Sequence, residues 1–367
     1  MKFVIERNNF TKSLQKIVRL VVSRPLFPIL NNVLLKTEEN NLLLTVTDLE
    51  IELIAKIELY EIYEYGEISV SAKKLFNICR SFSENIKITL SLQKNIIFLS
   101  FKNSRFSLAT LPAKEFPYLE KWECKQKLFV DKEKFKKIIE STFFSMANQD
   151  IRYYLNGMFF LFEKNKLQVV ATDGHRMSIN SMPINDFYDK YSIIVPRKAI
   201  IELLYLLKSF HEEIIEIKIG KSNIRIYIGN IIFTSKLVDG NFPDYNTFLS
   251  NIPTKTMDIN RLLFKEALLR ISILSNETNN SITLDIKKNL LSIFSSNSIQ
   301  EKGEEVLKIY YNYDNFKIAF NVSYMIDILH TLDCQNVRLL FTDELSSIKI
   351  IDINNPFLFY IIMPIRL

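Results

Sequence analysis

The chain has 367 residues, of which 48% are hydrophobic and 24% are charged, which indicates a globular protein large enough for two or three domains. No run of about eighteen apolar residues occurs, which excludes a transmembrane helix, and the alternating Met1–Arg7 segment lacks the apolar core of a signal peptide. The widely spaced Cys79, Cys124 and Cys334 argue against a disulfide framework or a zinc site and favour a reducing, cytoplasmic setting. The formal net charge of +6 permits a polyanionic partner without requiring one.

The first third of the sequence predicts two helices among several strands. The elements in order are the strand Phe3–Glu6, a helix containing Phe10–Val21, the strands Val33–Thr37, Asn41–Val46, Glu50–Leu59 and Glu67–Val70, a helix containing Ala72–Phe82, and two or three strands before Phe116-Pro117. Phe10, Leu14 and Ile17 have the spacing of an apolar helical face. Pro25 and Pro28 lie beyond this helix and end it.

This order of elements repeats with an offset of about 125 residues, far longer than the period of a solenoid repeat. The matched segments are Thr47-Asp48 with Thr172-Asp173 (172 − 47 = 125), Ser71–Leu75 with Pro196–Ile200 (196 − 71 = 125), Phe116-Pro117 with Phe242-Pro243 (242 − 116 = 126), and Val195–Arg197 with Phe320–Val322 (320 − 195 = 125). Because order and spacing both repeat, we predict three similar α+β domains, near residues 1–125, 126–244 and 245–367. Each would pack two short helices on antiparallel sheet.

The outward faces of the predicted helices are mostly basic. They carry Lys12, Lys16 and Arg19, Lys73 and Arg80, and Lys134, Lys137, Arg197 and Lys198. A charged helix face is usually only a solvated face. The bias in sign also fits a positive surface that contacts a phosphate backbone without reading sequence.

Two polar segments of the middle third have both a structural and a functional interpretation. Ala171–Met177 contains an Asp-Gly turn followed by His175 and Arg176, which fits a solvated hairpin tip or a recognition loop. Gln149–Met158 places Arg152 beside two tyrosines ahead of a strand. This loop fits either aromatic packing in a hairpin or a contact with nucleic acid, with tyrosine rings stacking on an exposed base.

Motifs of catalysis are missing from the sequence. There is no glycine-rich phosphate loop, no Gly-x-Ser-x-Gly elbow and no His-x-x-x-His pair. Asp48, Glu50 and Glu52 alternate and could in principle hold Mg²⁺, although a solvated strand face shows the same alternation. We therefore predict no catalytic residue, no metal and no cofactor.

Taken together, the motifs resemble the bacterial DNA sliding clamp, the beta subunit of DNA polymerase III, from one end of the chain to the other. The segments that carry the resemblance are Met1–Phe3, Arg24-Pro25, Pro28–Leu30, Thr47–Glu50, Ser104–Leu111, Gln149–Gly157, Ala171–Arg176, Ile194–Lys198, Phe233–Tyr245, Ile273–Glu277 and Met363–Leu367. The resemblance implies a ring of two head-to-tail subunits, with helices inside and sheets outside. It implies no reaction.

The function implied by the resemblance is that of a non-catalytic processivity factor. The ring would encircle double-stranded DNA and tether the DNA polymerase III catalytic subunit, which raises its effective concentration at the primer end. Further implied partners are the clamp-loader complex, other DNA polymerases, and repair and replication factors; no membrane is involved.

The resemblance also assigns residues to three surfaces. Matching the DNA contacts of the family are Arg24, Lys73, Arg80, Gln149, Tyr153, Tyr154, Arg197 and Lys198. Matching its partner-peptide pocket are Leu155, Thr172, Gly174, His175, Arg176, Met177, Pro243, Ser347, Ile361, Ile362, Met363, Pro364, Ile365 and Arg366. Matching its subunit interface are Lys74, Arg105, Phe106, Leu108, Ile273, Leu274, Glu301, Glu304 and Glu305. The pocket would accept a short linear motif with Leu and Phe anchors and a Gln.

Two features depart from the family pattern. Asn246, Thr247 and Phe248 follow Pro-Asp-Tyr where the family usually has a positive residue, and the net charge is positive where the family is typically acidic. Two other functions remain open on the sequence: a metal-dependent nuclease acting through Asp48 and Glu50, and a plain nucleic-acid-binding module.

Overall fold

The structure is a computed structural model, and it describes residues 1–21, 27–119, 122–185, 187, 190–250, 253–275, 280–297 and 299–365. The α-helices are α1 (Arg7–Ile17), α2 (Ala72–Ser81), α3 (Lys132–Glu140), α4 (Arg197–Lys208), α5 (Asn246–Ser250), α6 (Arg261–Ser272) and α7 (Val322–Thr331). The strands of the first half are β1 (Lys2–Glu6), β2 (Asn32–Glu38), β3 (Asn41–Thr47), β4 (Ile51–Glu58), β5 (Glu61–Glu64), β6 (Glu67–Ser71), β7 (Lys87–Gln93), β8 (Ile96–Phe101), β9 (Ser104–Leu111), β10 (Gln126–Asp131), β11 (Gly157–Glu163), β12 (Lys166–Thr172) and β13 (Arg176–Pro183). The remaining strands are β14 (Tyr191–Pro196), β15 (Ile214–Ile219), β16 (Asn223–Ile228), β17 (Ile231–Lys236), β18 (Lys255–Asn260), β19 (Ser281–Lys287), β20 (Leu290–Ser296), β21 (Lys302–Lys308), β22 (Phe316–Asn321), β23 (Asn336–Phe341), β24 (Ile348–Ile351) and β25 (Phe359–Ile362).

The chain forms two compact units. The first unit contains Met1–Glu133 and Ile201–Leu237, and the second contains Lys134–Ile200 and Val238–Leu367. In the first unit, the strands form one sheet in the order β10-β15-β16-β17-β4-β3-β2-β6-β9-β8-β7-β1-β5. In the second, they form two sheets in the orders β14-β11-β12-β13-β25-β24-β23-β18 and β21-β20-β19-β22. All of the strand pairs among the described residues are antiparallel, in agreement with the predicted α+β class.

The predicted repeat is visible where strands lead directly into helices. α2, α4 and α7 begin at Ala72, Arg197 and Val322, each immediately after a strand ends. These starts are 125 residues apart in both steps (197 − 72 = 125; 322 − 197 = 125). The offset found in the sequence therefore marks the same local structure three times.

A basic residue opens the first helix of each repeat and bonds to backbone near the end of the second. Arg7 Nε and Nη2 donate to the carbonyl oxygens of Cys79 and Arg80, at 3.0 and 2.7 Å. Lys132, which is buried, donates to the carbonyl of Phe210, just beyond α4. Arg261, in the same role, donates to two carbonyls, those of Leu329 and Cys334. Carbonyls at helix ends lack intrahelical partners and carry partial negative charge, so these cations stabilise each helix pair.

The apolar faces of the first two helices are buried as predicted. Phe10, Leu14 and Ile17 of α1 are fully buried, as are Leu75 and Cys79 of α2. The two helices pack against each other, and α1 packs on β3 and β4.

Part of the basic face predicted for α1 contacts aromatic rings. Lys16 Nζ lies 3.3 Å from the ring centroid of Phe210, and the Arg19 guanidinium lies 3.6 Å from that of Tyr205. Burial lowers the pKa of Lys16. Cation–π contacts therefore join these two side chains to rings of the first unit, although Arg19, like Lys12, is exposed.

Strand β25 separates two apolar clusters of the second unit. Tyr360 and Ile362 belong to the core built around α6, α7 and the strands of the last third of the chain. Ile361 faces the opposite side and packs with Met177 and Tyr245. Because neighbouring side chains of a strand point to opposite faces, this strand lends one face to a core and the other to the site described below.

Candidate functional site

The segment between β12 and β13 is a tight turn closed by its own side chains. Thr172 Oγ1 donates to the carbonyl of Arg176 (2.6 Å) and accepts from the Gly174 N–H (3.0 Å). Asp173 Oδ1 accepts from the N–H groups of His175 and Arg176, both at 2.9 Å. Gly174 has φ +90°, a conformation that glycine adopts without steric cost. The Thr-Asp-Gly sequence thus satisfies the backbone groups of the turn locally.

Arg176 ties this turn to its surroundings in the second unit. Its Nε donates to Asp173 Oδ2 at 3.0 Å, Nη1 to Asp327 Oδ2 of α7 at 2.6 Å, and Nη2 to the carbonyl of Phe144 at 2.8 Å. The guanidinium also lies 4.5 Å from the ring centroid of Tyr324. With only 12% of the side chain exposed, Arg176 acts as a structural anchor whose polar groups all point to partners.

An apolar floor lies beside this turn. Val170, Met177, Ile179, Tyr245 and Ile361 form a buried cluster, against which phenylalanines 159, 242, 248 and 359 pack. The rings of two of them, Phe159 and Phe242, are stacked with centroids 4.7 Å apart. The floor is therefore built mainly from aromatic groups, which provide large apolar contact areas.

Tyr245 has the one polar group of this cluster that is fixed by a hydrogen bond in the described structure. Its hydroxyl donates to Gln168 Oε1 at 2.7 Å. Burial raises the pKa of Tyr245 to about 12. The phenol therefore stays neutral across the physiological range and holds the edge of the floor against β12.

A second arginine, Arg152, lies on the rim beside this turn. Arg152 makes a bidentate ion pair with Asp150 (3.0 and 2.9 Å) and donates to the carbonyl of Asp173 (3.2 Å). The hydrogen bonds from Arg152 lower the pKa of Asp150 to about 2. A Cβ at Gly174 would lie 3.0 Å from both Nη atoms of this arginine, so a side chain here would require the Arg152 guanidinium to shift in addition to the strain at this φ.

These elements enclose a cavity of about 170 Å³ with an apolar base and a polar rim. Its lining residues are Arg152, Tyr154, Leu155, Thr172, Gly174, His175, Arg176, Met177, Phe242, Pro243, Asp244, Phe248, Ile361 and Met363. The Met363 N–H donates to the carbonyl of His175 at 2.9 Å, so the chain after β25 forms one wall. Such a concave site suits a ligand with large apolar side chains and a few hydrogen-bonding groups.

Nine of the residues predicted for the pocket line this cavity together: Leu155, Thr172, Gly174, His175, Arg176, Met177, Pro243, Ile361 and Met363. Ile362 does not, because its side chain lies on the other face of β25 in the core. Ser347, Pro364 and Ile365 also lie outside the lining, and the Ile365 N–H pairs with the carbonyl of Ala319. Arg366 is outside the described residues.

Sequence reasoning missed five lining residues as members of the cavity. Tyr154 was assigned to the DNA contacts, and Arg152 lay in a loop that fitted either hairpin packing or a nucleic-acid contact. Phe248 was noted only in the segment that departs from the family pattern, and Phe242 and Asp244 were not assigned to a site. The signal that could have found them is proximity to Pro243 and Tyr245 in the Phe-Pro-Asp-Tyr segment. Phe248 occupies part of the rim that departs from the family pattern.

The residues predicted to contact DNA are distributed over both units. Their exposure and contacts are described within each unit. Lys73, Arg80, Gln149, Tyr153 and Lys198 have exposed side chains. Arg197 is partly buried, donates to the carbonyl of Met146 at 2.7 Å, and has a pKa lowered by burial and by Arg176. Tyr154 lines the cavity, and Arg24 is outside the described residues.

The predicted interface residues lie on or beside strands β9 and β21, except for Lys74 on α2 and for Ile273 and Leu274, which follow α6. β9 pairs with β8 along Ser104–Ala109 and with β6 only at Thr110 and Leu111, whereas β21 is the last strand of its sheet and pairs with β20 in the described chain. The side chains of Phe106 and Ile273 are 38% and 79% exposed. Leu108 and Leu274 are partly buried. Arg105 lies on β9 and Glu304 on β21, Glu301 immediately precedes β21, and Lys74 lies on α2.

Glu305, one of the residues expected to form ion pairs across the interface, already pairs with an arginine of its own chain. Glu305 forms a bidentate pair with Arg270 of α6, at 2.5 and 3.0 Å. The hydrogen bonds from Arg270 lower the pKa of Glu305. An approaching Lys74 or Arg105 would therefore meet a carboxylate that is shared with Arg270.

The carboxylates considered for a nuclease have structural roles. Asp48 lies in the turn before β4, and its Oδ1 accepts from the N–H groups of Glu50 and Ile51. Glu52 is buried and accepts from the Leu119 N–H. Within the described residues, no three His, Cys, Asp or Glu side chains converge as a metal site would require. The helices of the described chain include none that is long and apolar enough to cross a bilayer.

Comparison with known families matches almost the whole chain in three successive segments. Residues 1–120 match the N-terminal domain of the DNA polymerase III beta subunit, residues 129–244 its central domain, and residues 249–366 its C-terminal domain. The chain belongs to the DNA polymerase III beta-subunit family. It is a sliding-clamp protein and is not itself catalytic, so the nuclease alternative is wrong.

Individual relatives agree over their full lengths. The chain is 43% identical to the beta sliding clamps of Proteus mirabilis and Escherichia coli K12, with 100% of each chain covered. Among solved structures, the DNA polymerase III subunit beta of Pseudomonas aeruginosa is 40% identical with a TM-score of 0.97, and a griselimycin-bound clamp of the same organism is 39% identical with a TM-score of 0.96. Both structures are matched over 100% of each chain.

Proposed function

We propose that this chain acts as a homodimeric ring that encircles duplex DNA and holds polymerase through the cavity of the second unit. The observation that carries the proposal is this cavity, in which an aromatic floor lies beside a polar rim fixed by Arg152 and Arg176. The protein needs no catalytic group for this work. A polymerase bound by a flexible segment stays at high effective concentration near the primer end.

The ligand of the cavity would be a short peptide segment of a partner. Met177 and Ile361 form an apolar base that suits Leu or Phe side chains. The carbonyl and N–H groups of the Thr172–Arg176 turn are largely satisfied internally, so the exposed His175 and the Met363 side of the rim would supply specificity. We infer that the catalytic subunit of DNA polymerase III, the clamp loader, and other polymerases and repair factors share this site.

The ring would close through the two strand edges. An open edge presents unpaired N–H and C=O groups, which a strand of another chain can satisfy. β9 of one subunit and β21 of another offer such edges, with Phe106 and Ile273 as exposed apolar groups beside them. The proposed domain limits are 1–125, 126–244 and 245–367, and the proposed location is the cytoplasm.

The DNA contacts would be weak and independent of sequence. Lys73, Arg80 and Lys198 are exposed cations on α2 and α4, and they suit phosphate contacts that break and reform as the ring slides. The topological link would keep the ring on DNA, and these contacts would position the duplex.

The test compares retention on DNA of different topology. Protein loaded on nicked circular DNA should remain bound and should be lost after linearisation, because a ring slides off an open end. Ile273→Asp should abolish dimers in light scattering and abolish retention, whereas Leu345→Asp, which alters another residue of similar exposure (75% against 79%), should do neither. Equal retention on circular and linear DNA would contradict the ring.

A further inference from the structure

One loop of the second unit carries residues of both proposed surfaces. Gln149 and Tyr153, which the proposed function assigns to DNA, have exposed side chains, and Tyr154 and Leu155 line the peptide cavity. Arg152 lies between them in the sequence, and its side chain is also part of the cavity wall. A contact made at one surface therefore involves the same short segment as a contact made at the other.

The backbone of this loop is fixed by Asp150 and Asn156. The Asp150 N–H donates to Asn156 Oδ1 at 2.9 Å, and Asn156 Nδ2 donates to the Asp150 carbonyl at 2.8 Å. Asp150 Oδ1 accepts from the Arg152 N–H at 2.8 Å. These bonds hold the backbone without using the Arg152 guanidinium, so that group is able to change partners while the loop keeps its course.

The guanidinium of Arg152 is the movable part of the cavity wall. Its two Nη atoms lie over Gly174, 3.0 Å from the position of a Cβ on that residue, and 45% of the arginine side chain is exposed. The cavity beside it measures about 170 Å³, whereas sites for small ligands usually exceed about 300 Å³. A peptide with Leu and Phe side chains therefore needs a wider cavity, and movement of the guanidinium away from Gly174 supplies it.

The bonds that hold the guanidinium over Gly174 are weak enough to be exchanged. They are the bidentate pair with Asp150, whose side chain is 22% exposed, and a long bond of 3.2 Å to the Asp173 carbonyl. Ion pairs at the surface contribute little, because water and salt screen them. The Asp173 carboxylate is already bonded to Arg176. Because hydrogen bonds from Arg152 lower the pKa of Asp150 to about 2, protonation does not release the pair near neutral pH, and a competing anion is required.

We propose that Arg152 is a gate of the peptide cavity, which Asp150 holds closed and which a DNA phosphate beside Gln149 and Tyr153 opens by drawing the guanidinium away. A phosphate matches the guanidinium fork and binds it in a bidentate manner, as a carboxylate does. The gate rests on the function proposed above, which supplies both the DNA and the peptide. Its consequence is that protein on DNA binds partner peptides more tightly than free protein, so polymerase is directed to rings that already encircle DNA.

The test measures how tightly the full-length protein binds a fluorescent peptide with Gln, Leu and Phe, alone and with a saturating primer–template duplex. The unaltered protein should bind the peptide about three- to fivefold more tightly with the duplex, the factor expected for release of one exposed ion pair. Asp150→Asn keeps the acceptor for the Arg152 N–H but loses the charge, so it should bind this much more tightly without DNA and gain nothing from the duplex. Arg152→Gln, which removes the guanidinium, should also lose the response to DNA.

The matched control is Asp258→Asn, which should leave both affinities unchanged. Asp258 forms a bidentate pair with Arg338 in the same unit, with similar exposure and outside the cavity. The gate is overturned if the unaltered protein binds the peptide equally with and without duplex, or if Asp150→Asn and Arg152→Gln keep its response to DNA. Failure of the proposed function would show differently, as no peptide binding under either condition or as equal retention on circular and linear DNA.

Discussion

The Thr47–Ile51 turn and the Thr172–Arg176 turn have the same hydrogen bonds but differ in sequence after the shared Thr-Asp. In each, a threonine hydroxyl bonds to the carbonyl four residues on, and an aspartate caps two N–H groups. The third residue has positive φ in both, +77° at Leu49 and +90° at Gly174. The backbone of the turn is therefore a property of the repeat, and the cavity beside it depends on the residues that the repeat allows to vary.

Among the positions at which the second turn and its floor differ from the first, three make contacts described above. Gly174, Arg176 and Tyr245 stand where the first copy has Leu49, Ile51 and Leu119 (174 − 49 = 125; 176 − 51 = 125; 245 − 119 = 126). Exchanging each for its first-copy counterpart measures how much it contributes to the cavity of the second unit.

The largest loss of stability is expected for Arg176→Ile. This change leaves the Asp327 carboxylate and the Phe144 carbonyl without their donor and removes the Asp173 pair. We expect the free energy of unfolding to fall by about 2–4 kcal/mol, measured by denaturant unfolding. Arg176→Lys keeps the charge but cannot reach all three acceptors, and it should give an intermediate loss. A change below about 0.5 kcal/mol would show that the anchor is not structural.

A smaller loss of stability and a loss of ligand binding are expected for Gly174→Leu. A side chain at φ +90° costs about 1–2 kcal/mol, and its Cβ would displace the Arg152 guanidinium, which lies 3.0 Å away. Binding of a fluorescent peptide with Gln, Leu and Phe should weaken at least about tenfold. The matched control is Leu49→Gly in the first copy, which should leave this binding unchanged. If Gly174→Leu binds the peptide as tightly as the unaltered protein does, the rim is not part of the recognition site.

The smallest effect is expected for Tyr245→Leu, about 1 kcal/mol through loss of the bond to Gln168. The contribution of Tyr245 should be detected most clearly in the pH dependence of the free energy of unfolding. Burial raises the pKa of Tyr245 from 10 to about 12, so the folded state keeps the phenol proton that the unfolded state loses. The stabilisation is complete below about pH 10 and is lost as the pH rises towards 12. Unfolding measured across this window should show a smaller decrease in Tyr245→Leu than in the unaltered protein, where burial also raises the pKa of other groups such as Cys79 and Tyr360.

The sequence contained enough periodicity to predict the repeated fold. Phe10, Leu14 and Ile17 specified the buried face of α1, and the recurrence of a strand leading into a helix fixed the offset of 125 residues. The sequence pattern did not predict β5, a short edge strand with mostly exposed residues, because an exposed strand has no apolar alternation to detect. The contact of Lys132 with the Phe210 carbonyl was also missed, because it joins residues far apart in sequence.

The residues of the candidate site that belong to family motifs were predictable from the sequence, and those placed by tertiary contacts were not. The motif after β12 located Gly174, His175 and Met177, which do line the cavity. Motif matching placed Ile362 beside Ile361 in one set, but alternation along β25 directs the two to opposite faces. Arg152 could not be assigned to the rim in advance, since its position depends on the close approach to Gly174 and on the Asp150 pair.

The pairing of β4 with β17, and of β13 with β25, has a consequence for how this protein can evolve. Each pair joins strands from different repeats inside one compact unit. An exchange of one whole repeat with a relative would therefore replace one partner of a sheet and leave the other behind. Recombination at the repeat limits should be tolerated only when both strands of each pair remain complementary.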